Sequence, residues 1–433
     1  MDRVRIGLVG FGTVGSSFYN LLTDSAEKFA RRLGVEVDVP WVAVRDASRK
    51  RTVKPGTRVV AGWKEILDDP TVPIVVELVG GIDEPLALIR EALSRGKHVI
   101  TANKALLSVH GRELFALAAE KGVELKFEAA VCGGIPIIKV LRESLLGNRV
   151  VSIVGIVNGT TNYILTRMSE DGLSFPDALA LAQEKGFAEA DPTLDISGGD
   201  AAQKIGLLAS LAFGCWVPPA DVLCEGITSV EAKDIEFGLA SGFVVKLIAQ
   251  ARMLEDAPLV TVYPALVPSG HPLAGVRNEF NGVLVDSDYL GTSVYEGRGA
   301  GGDPTASSVA SDLGDLLRRI LGRQEPRPGA ALSRVPPFPV DRMRSRYYFH
   351  FVTANRPGIW ALVTGICAET GINIESVHQK WEDKSKPSDL YVLVDEAEEN
   401  QVRRAFTRIV NAEGIYPESH YLRILSSPGG GTT

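Results

Sequence analysis

The 433-residue chain carries a formal net charge of −7, from 46 Lys and Arg against 53 Asp and Glu residues. This acidic balance argues against a nucleic acid or an anionic membrane as the main partner, because both require a basic face. Hydrophobic residues make up 45% of the chain and charged residues 23%, which is the mix of an ordinary globular protein. At about 150 residues per domain, the length predicts roughly three domains.

The four cysteines predict neither a disulfide framework nor a zinc ribbon. They stand at positions 132, 215, 224 and 367, and none of them forms a Cys-x-x-Cys pair. The N-terminus has no basic and apolar regions of a signal peptide. The longest nearly apolar run, 206–219, is shorter than the ~20 residues of a membrane-spanning helix. We therefore expect reduced thiols, a cytoplasmic location and no membrane partner.

Strand and helix patterns alternate over the first 130 residues. The predicted strands cover 4–9, 37–44, 74–79, 98–101 and 123–127, and the predicted helices cover 16–32, 84–95 and 111–121. Such alternation predicts an α/β domain with a parallel, doubly wound sheet, the architecture of a Rossmann dinucleotide-binding domain.

A glycine-rich loop lies between the first predicted strand and the first helix. Its residues are Gly10, Phe11, Gly12, Thr13, Val14 and Gly15. In this context Gly10 permits a tight turn, Gly12 lets the backbone approach a pyrophosphate, and Gly15 lets the helix pack on the sheet. The loop therefore predicts a dinucleotide site, with the phosphates at the N-terminus of the helix.

The end of the second predicted strand indicates which cofactor is used. An NAD site needs a carboxylate there to bind the ribose 2′-hydroxyl, whereas this strand ends at Arg45 and is followed by three more basic residues at 49–51. These basic residues favour a pocket for the 2′-phosphate of NADP. The alternative is a merely solvated basic loop. Asp46 is adjacent to Arg45, so use of NAD stays open.

Residues 131–302 mix long helices with strands, which is typical of an α+β substrate and dimerisation domain. Helices are predicted at 137–146, 162–170, 175–184 and 200–212, and strands at 150–157, 243–253 and 259–264. A further helix at 305–321, within the segment 303–325, is expected to return to the first domain.

Five prolines between positions 326 and 341 predict a semi-rigid linker over 326–345. The region 346–426 has strand patterns at 347–353, 372–380, 389–394 and 419–425 and helix patterns at 359–370 and 398–413. The resulting order, βαββαβ, predicts a ferredoxin-like domain. The Gly-, Ser- and Thr-containing tail, 427–433, is expected to be disordered.

The densest group of polar residues lies at 189–204. Asp200 and Lys204 are four positions apart, so a helix would place them on one face. A lysine held against carboxylates there could exchange a proton with a carbonyl oxygen. Spacing alone favours the alternative, an exposed Asp–Lys pair that contributes little to stability.

Several segments together resemble homoserine dehydrogenases. They are the glycine loop at 10–15, Val-Ile-Thr-Ala-Asn-Lys at 99–104, Gly-Gly-Ile-Pro-Ile-Ile at 133–138, Gly-Ile-Val-Asn-Gly-Thr-Thr-Asn-Tyr at 155–163, and the polar run at 189–204. They are spread in order over nearly the whole chain. The resemblance implies NAD(P)-dependent interconversion of L-homoserine and L-aspartate 4-semialdehyde in the biosynthesis of threonine, methionine and isoleucine.

The resemblance also implies roles for particular side chains. Lys204 would donate the proton to the aldehyde oxygen and accept it in the reverse direction, and Asp200 would orient Lys204 and the reacting oxygen. Glu189 would bind the substrate amine, with Asp195 as a supporting carboxylate. Lys104 matches the second active-site lysine, near the nicotinamide. Cationic donors suit this reaction, because hydride transfer to an aldehyde builds negative charge on its oxygen.

Two glycine-containing turns match further sites of the family. The positions that correspond to its sodium ligands are Glu128, Val131, Gly133 and Ile135. Cys132 stands where glycine is common, and a plain glycine turn is the alternative. Gly301, in the loop 296–305, matches the segment that closes over the nicotinamide, with a flexible connector as the alternative.

The C-terminal region resembles an ACT domain, a small sensor that usually binds amino acids at paired interfaces. The turn at 355–358 and the strand at 373–377 carry this resemblance, from which Asn355 and Trp360 depart. The pathway makes threonine the expected effector, and dimerisation without a ligand is the alternative. We expect a homo-oligomer, and we expect a chain cut after Glu325 to stay active but lose amino-acid inhibition.

Two other functions compete with this interpretation. One is a different Rossmann-type amino-acid or semialdehyde dehydrogenase, against which the run Asn-Gly-Thr-Thr at 158–161 argues. The other is a catalytically idle sensor, against which the intact Lys104, Glu189, Asp200 and Lys204 argue. Reduction of NADP+ with L-homoserine, compared with other hydroxy amino acids, separates the three.

Overall fold

The computed structural model describes residues 2–322, 332–380, 383 and 386–426. By its internal contacts the chain divides into two compact units. The first unit is Met1–Val150, Gln203–Asp221 and Tyr295–Val335, and the second is Val151–Ala202, Val222–Val294 and Pro336–Thr433.

The N-terminal part of the first unit alternates strands and helices. In chain order these are β1 (Asp2–Val9), α1 (Thr13–Asp24), α2 (Ala26–Leu33), β2 (Val35–Val44), β3 (Arg58–Ala61), α3 (Lys64–Asp68), β4 (Ile74–Glu77), α4 (Asp83–Ser94), β5 (His98–Thr101), α5 (Lys104–Glu120), β6 (Leu125–Lys126) and α6 (Ile137–Lys139). A π-helical segment, Val140–Ser144, continues α6.

The strands of this part form one parallel sheet with the order β3-β2-β1-β4-β5-β6. The order reverses beside β1, and ligands of such sheets bind at the carboxyl ends of the strands at that point. The predicted α/β class and Rossmann-type domain are confirmed. Strand β3 is absent from the prediction because it is a short strand at the edge of the sheet with no fully buried residue.

Helix boundaries differ from the prediction where capping residues decide them. The single helix predicted over 16–32 is wrong, since Ser25 breaks it into α1 and α2 with φ −107° and ψ 15°. The Ser25 side chain makes no capping hydrogen bond, while Ser25 N donates to Leu21 O at 3.0 Å and Ser25 O accepts from Phe29 N at 2.9 Å. Helix α5 begins at Lys104 rather than 111, because the Asn103 side chain accepts from Leu106 N at 3.1 Å and caps it.

The elements from residue 150 onward are more varied. They are β7 (Val150–Ile156), α7 (Gly159–Asp171), α8 (Phe175–Glu184), α9 (Thr193–Ile196), α10 (Gly199–Phe213), β8 (Cys215–Trp216), β9 (Leu223–Cys224), α11 (Ala232–Ala240), β10 (Phe243–Leu254), β11 (Ala257–Pro268), β12 (Phe280–Ser287), β13 (Gly291–Arg298), α12 (Gly302–Leu321), β14 (Ser333–Arg334), β15 (Arg344–Thr353), α13 (Ile359–Glu369), β16 (Ile374–Lys380), β17 (Ser388–Glu398), α14 (Glu399–Val410) and β18 (His420–Ile424).

Helix α12 lies in the hydrophobic core of the first unit. Ala306, Val309 and Leu313 belong to the same buried cluster as Ile6 of β1 and Phe18 of α1. In sequence, α12 begins more than 150 residues after β1 and α1. The core of the first unit is therefore completed by a late part of the chain.

The second unit is built on a large sheet with the order β13-β12-β7-β10-β11-β18-β15-β17-β16, to which β9 adds by pairing with β11. Strands β10 and β11 form a long antiparallel hairpin. Its two-residue turn is Glu255–Asp256, with φ values of 48° and 64°, the left-handed backbone that tight hairpin turns require. Strands β12 and β13 are additions to the predicted set.

The C-terminal elements occur in the predicted order β15-α13-β16-β17-α14-β18. A proline-rich linker predicts few contacts between these elements and the preceding region, yet the two are joined in one compact unit. Strand β18 pairs in parallel with β11, through Ala265 opposite Arg423, and so covers an edge that would otherwise be open. Phe338, in the predicted linker, donates its N–H to Pro258 O at 2.9 Å. Pro326, Pro328 and the predicted tail 427–433 lie outside the described residues.

Candidate active site

The glycine loop joins β1 to α1 with almost no free length, and its glycines are required by close approach. Gly10 has φ 101°, and a Cβ there would lie 2.6 Å from the Leu78 carbonyl oxygen. A Cβ on Gly15 would lie 2.3 Å from the Gly10 oxygen. A Cβ on Gly12 would meet no described atom within 4 Å. The loop is thus packed at Gly10 and Gly15 and open at Gly12, which fits a bound pyrophosphate.

Arg45 is exposed directly after β2, and its neighbour Asp46 is engaged locally. Asp46 Oδ1 accepts from Ser48 N at 2.9 Å and from Ser48 Oγ at 2.6 Å. These hydrogen bonds hold the pKa of Asp46 below its ordinary value. The Asp46 carboxylate is therefore turned into its own loop, while Arg45 faces solvent beyond the strand.

A buried carboxylate at the end of β4 organises the loop that follows it. Glu77 is fully buried and accepts from Thr101 Oγ1 at 2.5 Å and from Val79 N at 2.7 Å. Burial raises the pKa of Glu77. Sequence reasoning missed this residue, although an acid that ends an apolar strand before Gly80 and Gly81 is a signal of a built turn.

The same network reaches the first helical residue, Lys104. Thr101 Oγ1 accepts from Asn103 N at 3.0 Å, and Asn103 Nδ2 donates to Gly81 O at 2.6 Å. Asn103 also caps α5, so both ends of its amide are used. Lys104 is half-buried and stands on a helix start that Glu77 and Asn103 hold in place.

The turn predicted to hold sodium is dense with internal hydrogen bonds. Glu128 Oε1 and Oε2 accept from Ile138 N at 2.9 Å and Lys139 N at 2.8 Å, at the start of α6. Asp312 Oδ2 accepts from Glu128 N at 2.8 Å. Burial, with the neighbouring Asp312 charge second, raises the pKa of Glu128 to about 7. Both oxygens of the Glu128 carboxylate therefore accept from backbone donors, and its role as a sodium ligand stays a prediction.

The remaining positions of this turn contact the loop that carries Gly301. Gly133 has φ 49°, its oxygen accepts from Ser308 Oγ at 2.6 Å, and a Cβ on it would lie 2.5 Å from Gly299 O. Ile135 O accepts from Ile137 N at 2.8 Å. Gly301 has φ 111° and directly precedes α12. Val131, Cys132 and Ile135, which flank Gly133 in sequence, are buried, and Cys132 adopts φ 54°.

In the second unit, one amide holds two of the predicted carboxylates together. Asn158 Nδ2 donates to Asp195 Oδ1 at 2.7 Å and to Asp200 Oδ2 at 2.9 Å. Asn158 Oδ1 accepts from Thr161 N at 2.8 Å and so caps α7. Asn158 and Asp200 are buried, at 4% and 5% exposure. The run Asn-Gly-Thr-Thr therefore positions the acids, a role that the sequence did not reveal.

Lys204 lies one helical turn after Asp200 on α10 and is 8% exposed. The alternative of an exposed Asp–Lys surface pair is wrong, since both residues are buried. Glu189 lies between α8 and α9 with an exposed side chain, and its backbone oxygen accepts from Gln183 Nε2 at 3.0 Å. The structure thus places Asp195 and Asp200 together on Asn158 and leaves the Glu189 side chain facing solvent.

A parallel sheet of this order with a glycine loop after its first strand, and a helix with a buried lysine one turn from a buried carboxylate, define a dinucleotide-dependent oxidoreductase. Comparisons with known proteins narrow the class. The NAD-binding domain model of homoserine dehydrogenase matches residues 10–128, and the homoserine dehydrogenase model matches residues 136–313. The chain belongs to the homoserine dehydrogenase family, oxidoreductases that act on the CH–OH group of homoserine, and the resemblance seen in the sequence is confirmed.

The relatives match over nearly their whole length. The homoserine dehydrogenase of Pseudomonas aeruginosa is 40% identical over 422 residues, 96% of this chain and 97% of that one. The homoserine dehydrogenase of Synechocystis is 40% identical over 435 residues, 98% of this chain and 100% of that one. The crystal structure of a homoserine dehydrogenase from Thiobacillus denitrificans superposes with a TM-score of 0.91 at 37% identity, covering 98% and 99% of the two chains.

A second solved structure bears on the cofactor. It is a hyperthermophilic archaeal homoserine dehydrogenase in complex with NADPH, with a TM-score of 0.62 at 29% identity, covering 75% of this chain and 100% of that chain. In the described part of this chain, none of the helices combines the length and apolarity needed to cross a bilayer.

Proposed function

We propose that the chain interconverts L-homoserine and L-aspartate 4-semialdehyde with NADP(H) as its preferred cofactor and Lys204 as the proton-exchanging group. The main support for this proposal is that Lys204 and Asp200 are both buried one turn apart on α10. Asn158 donates hydrogen bonds to both Asp200 and Asp195. A buried lysine is the type of amine whose protonation state its surroundings can change. The experiment is NADP+ reduction by L-homoserine against L-serine and L-threonine. Equal rates with all three substrates would contradict the assignment.

Each of the site residues has its own role in the proposed reaction. In the oxidation direction Lys204 accepts the hydroxyl proton of homoserine, and in reduction it returns that proton to the aldehyde oxygen. Asp200 orients the lysine from the preceding turn, Asp195 supports it, and Lys104 adds positive charge where negative charge develops on oxygen. Glu189, with its exposed carboxylate, binds the substrate ammonium. The bound nicotinamide supplies the hydride acceptor and donor.

The cofactor preference rests on the residues after β2. Gly10, Gly12 and Gly15 would hold the pyrophosphate, and Gly301 would lie along the nicotinamide end. Arg45 is exposed and Asp46 is hydrogen-bonded to Ser48, so a 2′-phosphate finds a cation and a ribose 2′-hydroxyl does not find a free carboxylate. The NADPH complex of the archaeal relative supports the same preference.

A sodium ion at Glu128, Val131, Gly133 and Ile135 stays an expectation from the family resemblance, since an oxygen that accepts one hydrogen bond keeps a second lone pair. Both oxygens of the Glu128 carboxylate accept from backbone N–H groups, and the Gly133 and Ile135 oxygens accept further internal hydrogen bonds. No step of the reaction is assigned to a sodium ion.

Regulation by an amino acid is proposed for residues 346–426. The observed order β15-α13-β16-β17-α14-β18 and the sheet order β18-β15-β17-β16 support an ACT-like, ferredoxin-like domain. Threonine is the expected effector. Full-length enzyme assayed with millimolar threonine, and with isoleucine and methionine as controls, should show inhibition by threonine first. Indifference to all three amino acids contradicts the regulatory part and leaves the catalytic part standing.

Two further properties complete the proposal. The cysteines at 132, 215, 224 and 367 are free, which supports a reducing, cytoplasmic environment.

Strand β13 ends the sheet order of the second unit, and a second copy of the chain could pair with such an edge in a homo-oligomer. Light scattering on the purified chain measures the oligomer directly, and a monomer at micromolar concentration would contradict it.

A further inference from the structure

Two histidines and one aspartate converge in the second unit, and none of the three is assigned to the reaction. Asp234 lies on α11, His350 on β15 and His420 at the start of β18. Asp234 and His350 are fully buried, and the His420 side chain is 16% exposed. One nitrogen from each histidine and one oxygen from Asp234 lie within 4.8 Å of one another.

The far nitrogen of each histidine is held by an acceptor. His350 Nε2 lies 2.9 Å from Asp389 Oδ1, and His420 Nδ1 lies 3.1 Å from the Glu418 carbonyl oxygen. A carboxylate and a carbonyl can only accept, so these nitrogens carry their protons. The near nitrogens, His350 Nδ1 and His420 Nε2, then face Asp234. Metal-bound histidines have this outer arrangement, in which the second ring nitrogen donates to a carboxylate or a carbonyl.

His350 Nδ1 is the unexplained atom of the group. It is buried, and none of the described residues gives it a hydrogen bond; the Asp234 Oδ1 atom is 3.3 Å away but does not have hydrogen-bond geometry. The Asp234 oxygens already accept from Tyr348 OH at 2.8 Å and from Glu231 N at 2.8 Å. A buried ring nitrogen without a partner needs a physical account.

We propose that Asp234, His350 and His420 bind one divalent transition-metal ion of the Zn²⁺ class. Two imidazoles and a carboxylate are ligands that such ions take, with a water molecule or the second carboxylate oxygen as the fourth donor. Binding replaces the hydrogen bond between His420 Nε2 and Asp234 Oδ2, now 2.8 Å long, and releases that proton to solvent. The partly exposed side of His420 gives the ion its path in.

The site would have a structural purpose. Its ligands come from α11, which precedes the C-terminal region, and from β15 and β18 within that region. An ion there would tie the C-terminal strands to α11 and stabilise the folded chain by mass action. This inference is independent of the proposed reaction, because none of its ligands is placed in the catalytic or cofactor groups.

The test is cobalt binding by the full-length, untagged chain after dialysis against a chelator. The wild type should take up one equivalent of CoCl2 with the visible absorption of a four-coordinate site, and ZnCl2 should displace it. His420→Gln should lose at least ten-fold in affinity, whereas His110→Gln, on α5 of the first unit, should bind as the wild type does.

The second part of the test measures thermal stability with and without ZnCl2. ZnCl2 should raise the thermal unfolding midpoint of the wild type and of His110→Gln, and leave that of His420→Gln unchanged. Circular dichroism checks that the variant is folded, and His350→Gln serves if it is not. A wild type without Co²⁺ or Zn²⁺ uptake, or equal uptake by the His420 variant, overturns the inference and makes the group a hydrogen-bonded network only.

Discussion

The guanidinium of Arg423 donates to both oxygens of Glu225, through Nη1 at 2.6 Å and Nη2 at 3.1 Å. The same side chain donates to both oxygens of Glu399, through Nε at 3.0 Å and Nη2 at 2.7 Å. Arg423 is 1% exposed and Glu399 is fully buried. Burial opposes the charge of Glu399, yet Arg423 holds the pKa of that carboxyl below its ordinary value. One arginine therefore joins the C-terminal strand β18 to the segment after β9.

That segment leads toward the predicted substrate residues. Ile227 N, two residues after Glu225, donates to Ile196 O at the end of α9 at 2.9 Å. A Cβ on Gly226 would lie 2.1 Å from the same oxygen. Helix α9 contains Asp195, which Asn158 holds with Asp200. A continuous path of hydrogen bonds and close packing thus runs from the C-terminal strands to the acids, within one unit.

Replacing Arg423 with methionine should destabilise the chain strongly. The substitution removes the buried cation of Glu399 and leaves it Arg403 at 3.6 Å and the hydroxyls of Tyr347 and Tyr421. Breaking a buried pair in this way costs about 3–5 kcal/mol. Equilibrium urea unfolding measures it. The matched control is Arg408→Met, which breaks an exposed pair with Glu369 and should change stability by less than about 1 kcal/mol. Equal losses in the two variants would show that the Arg423 network contributes no more than a surface pair.

Lys204→Ala should lower turnover by at least ~100-fold, the scale of a lost general acid–base group. The fold should survive, because a polar group is removed and no apolar core residue is lost. Steady-state homoserine oxidation at saturating substrate is the measurement, with exposed Lys185→Ala on the C-cap of α8 as the control. Near-normal turnover in the Lys204 variant refutes its role.

Arg45→Ala should weaken NADP+ more than NAD+. A 2′-phosphate loses a charge-assisted hydrogen bond of about 1.5–3 kcal/mol, roughly 10- to 100-fold, whereas a 2′-hydroxyl loses little. The KM for each cofactor is compared in the wild type, in Arg45→Ala and in Arg31→Ala, a control on exposed α2. If both cofactors are affected equally, Arg45 is a solvated loop residue.

Glu128 and Asp312 should make the first unit less stable at alkaline pH. Burial raises the pKa of Asp312 to about 7, and burial with the Asp312 charge raises that of Glu128 to about 7. Folding therefore favours the neutral forms. Their contribution is complete below the ordinary values of 3.8 and 4.5 and is lost as the pH rises through about 7. Lys126 and Arg142 also face Asp312 and limit the rise.

The measurement is the unfolding free energy at pH 5.5 and 8.5. Each group loses about 1.4 kcal/mol per pH unit between pH 5.5 and about 7, so the wild type should lose on the order of 4 kcal/mol from the two. Asp312→Asn keeps an oxygen that can accept from Glu128 N and should lose less. Asp315→Asn is the control, because hydrogen bonds from Lys139 and Arg318 outweigh burial and keep the pKa of Asp315 low. The same pH dependence in all three proteins counts against the pair.

Cutting the chain after Glu325 should yield an unstable protein, contrary to the expectation from the linker. The cut removes β18 from β11 and takes Arg423 from Glu225 and His420 from Asp234. Solubility and circular dichroism of the truncated chain measure the outcome. A folded, fully active product would mean that β11 tolerates an open edge and that the linker-based expectation holds after all.

Local chemistry was predictable from sequence, and long-range pairing was not. The roles of Gly10, Gly12 and Gly15 could be predicted because the geometry of a tight turn depends on residues adjacent in sequence. The common face of Asp200 and Lys204 could be predicted from helical spacing. Asn158 could not be assigned its role, since its acids lie 37 and 42 positions away.

The pairing of β18 with β11 was hidden for the same reason, because more than 150 residues separate Ala265 from its partner Arg423. Hydrophobic patterns report which face of a strand is buried, not which strand lies beside it. The kink at Ser25 was missed because one residue decided it, against a helical pattern on both sides.

The position of β18 has a consequence for how the chain is made. The last strand in the sequence lies in the interior of the sheet, between β11 and β15. Until residues 420–424 leave the ribosome, both neighbours present unpaired N–H and C=O groups. The second unit can therefore be completed only after residues 420–424 have been made, and until then the nascent chain carries two open strand edges. A ribosome stalled before residue 420 would leave these edges of β11 and β15 open to pairing with another chain.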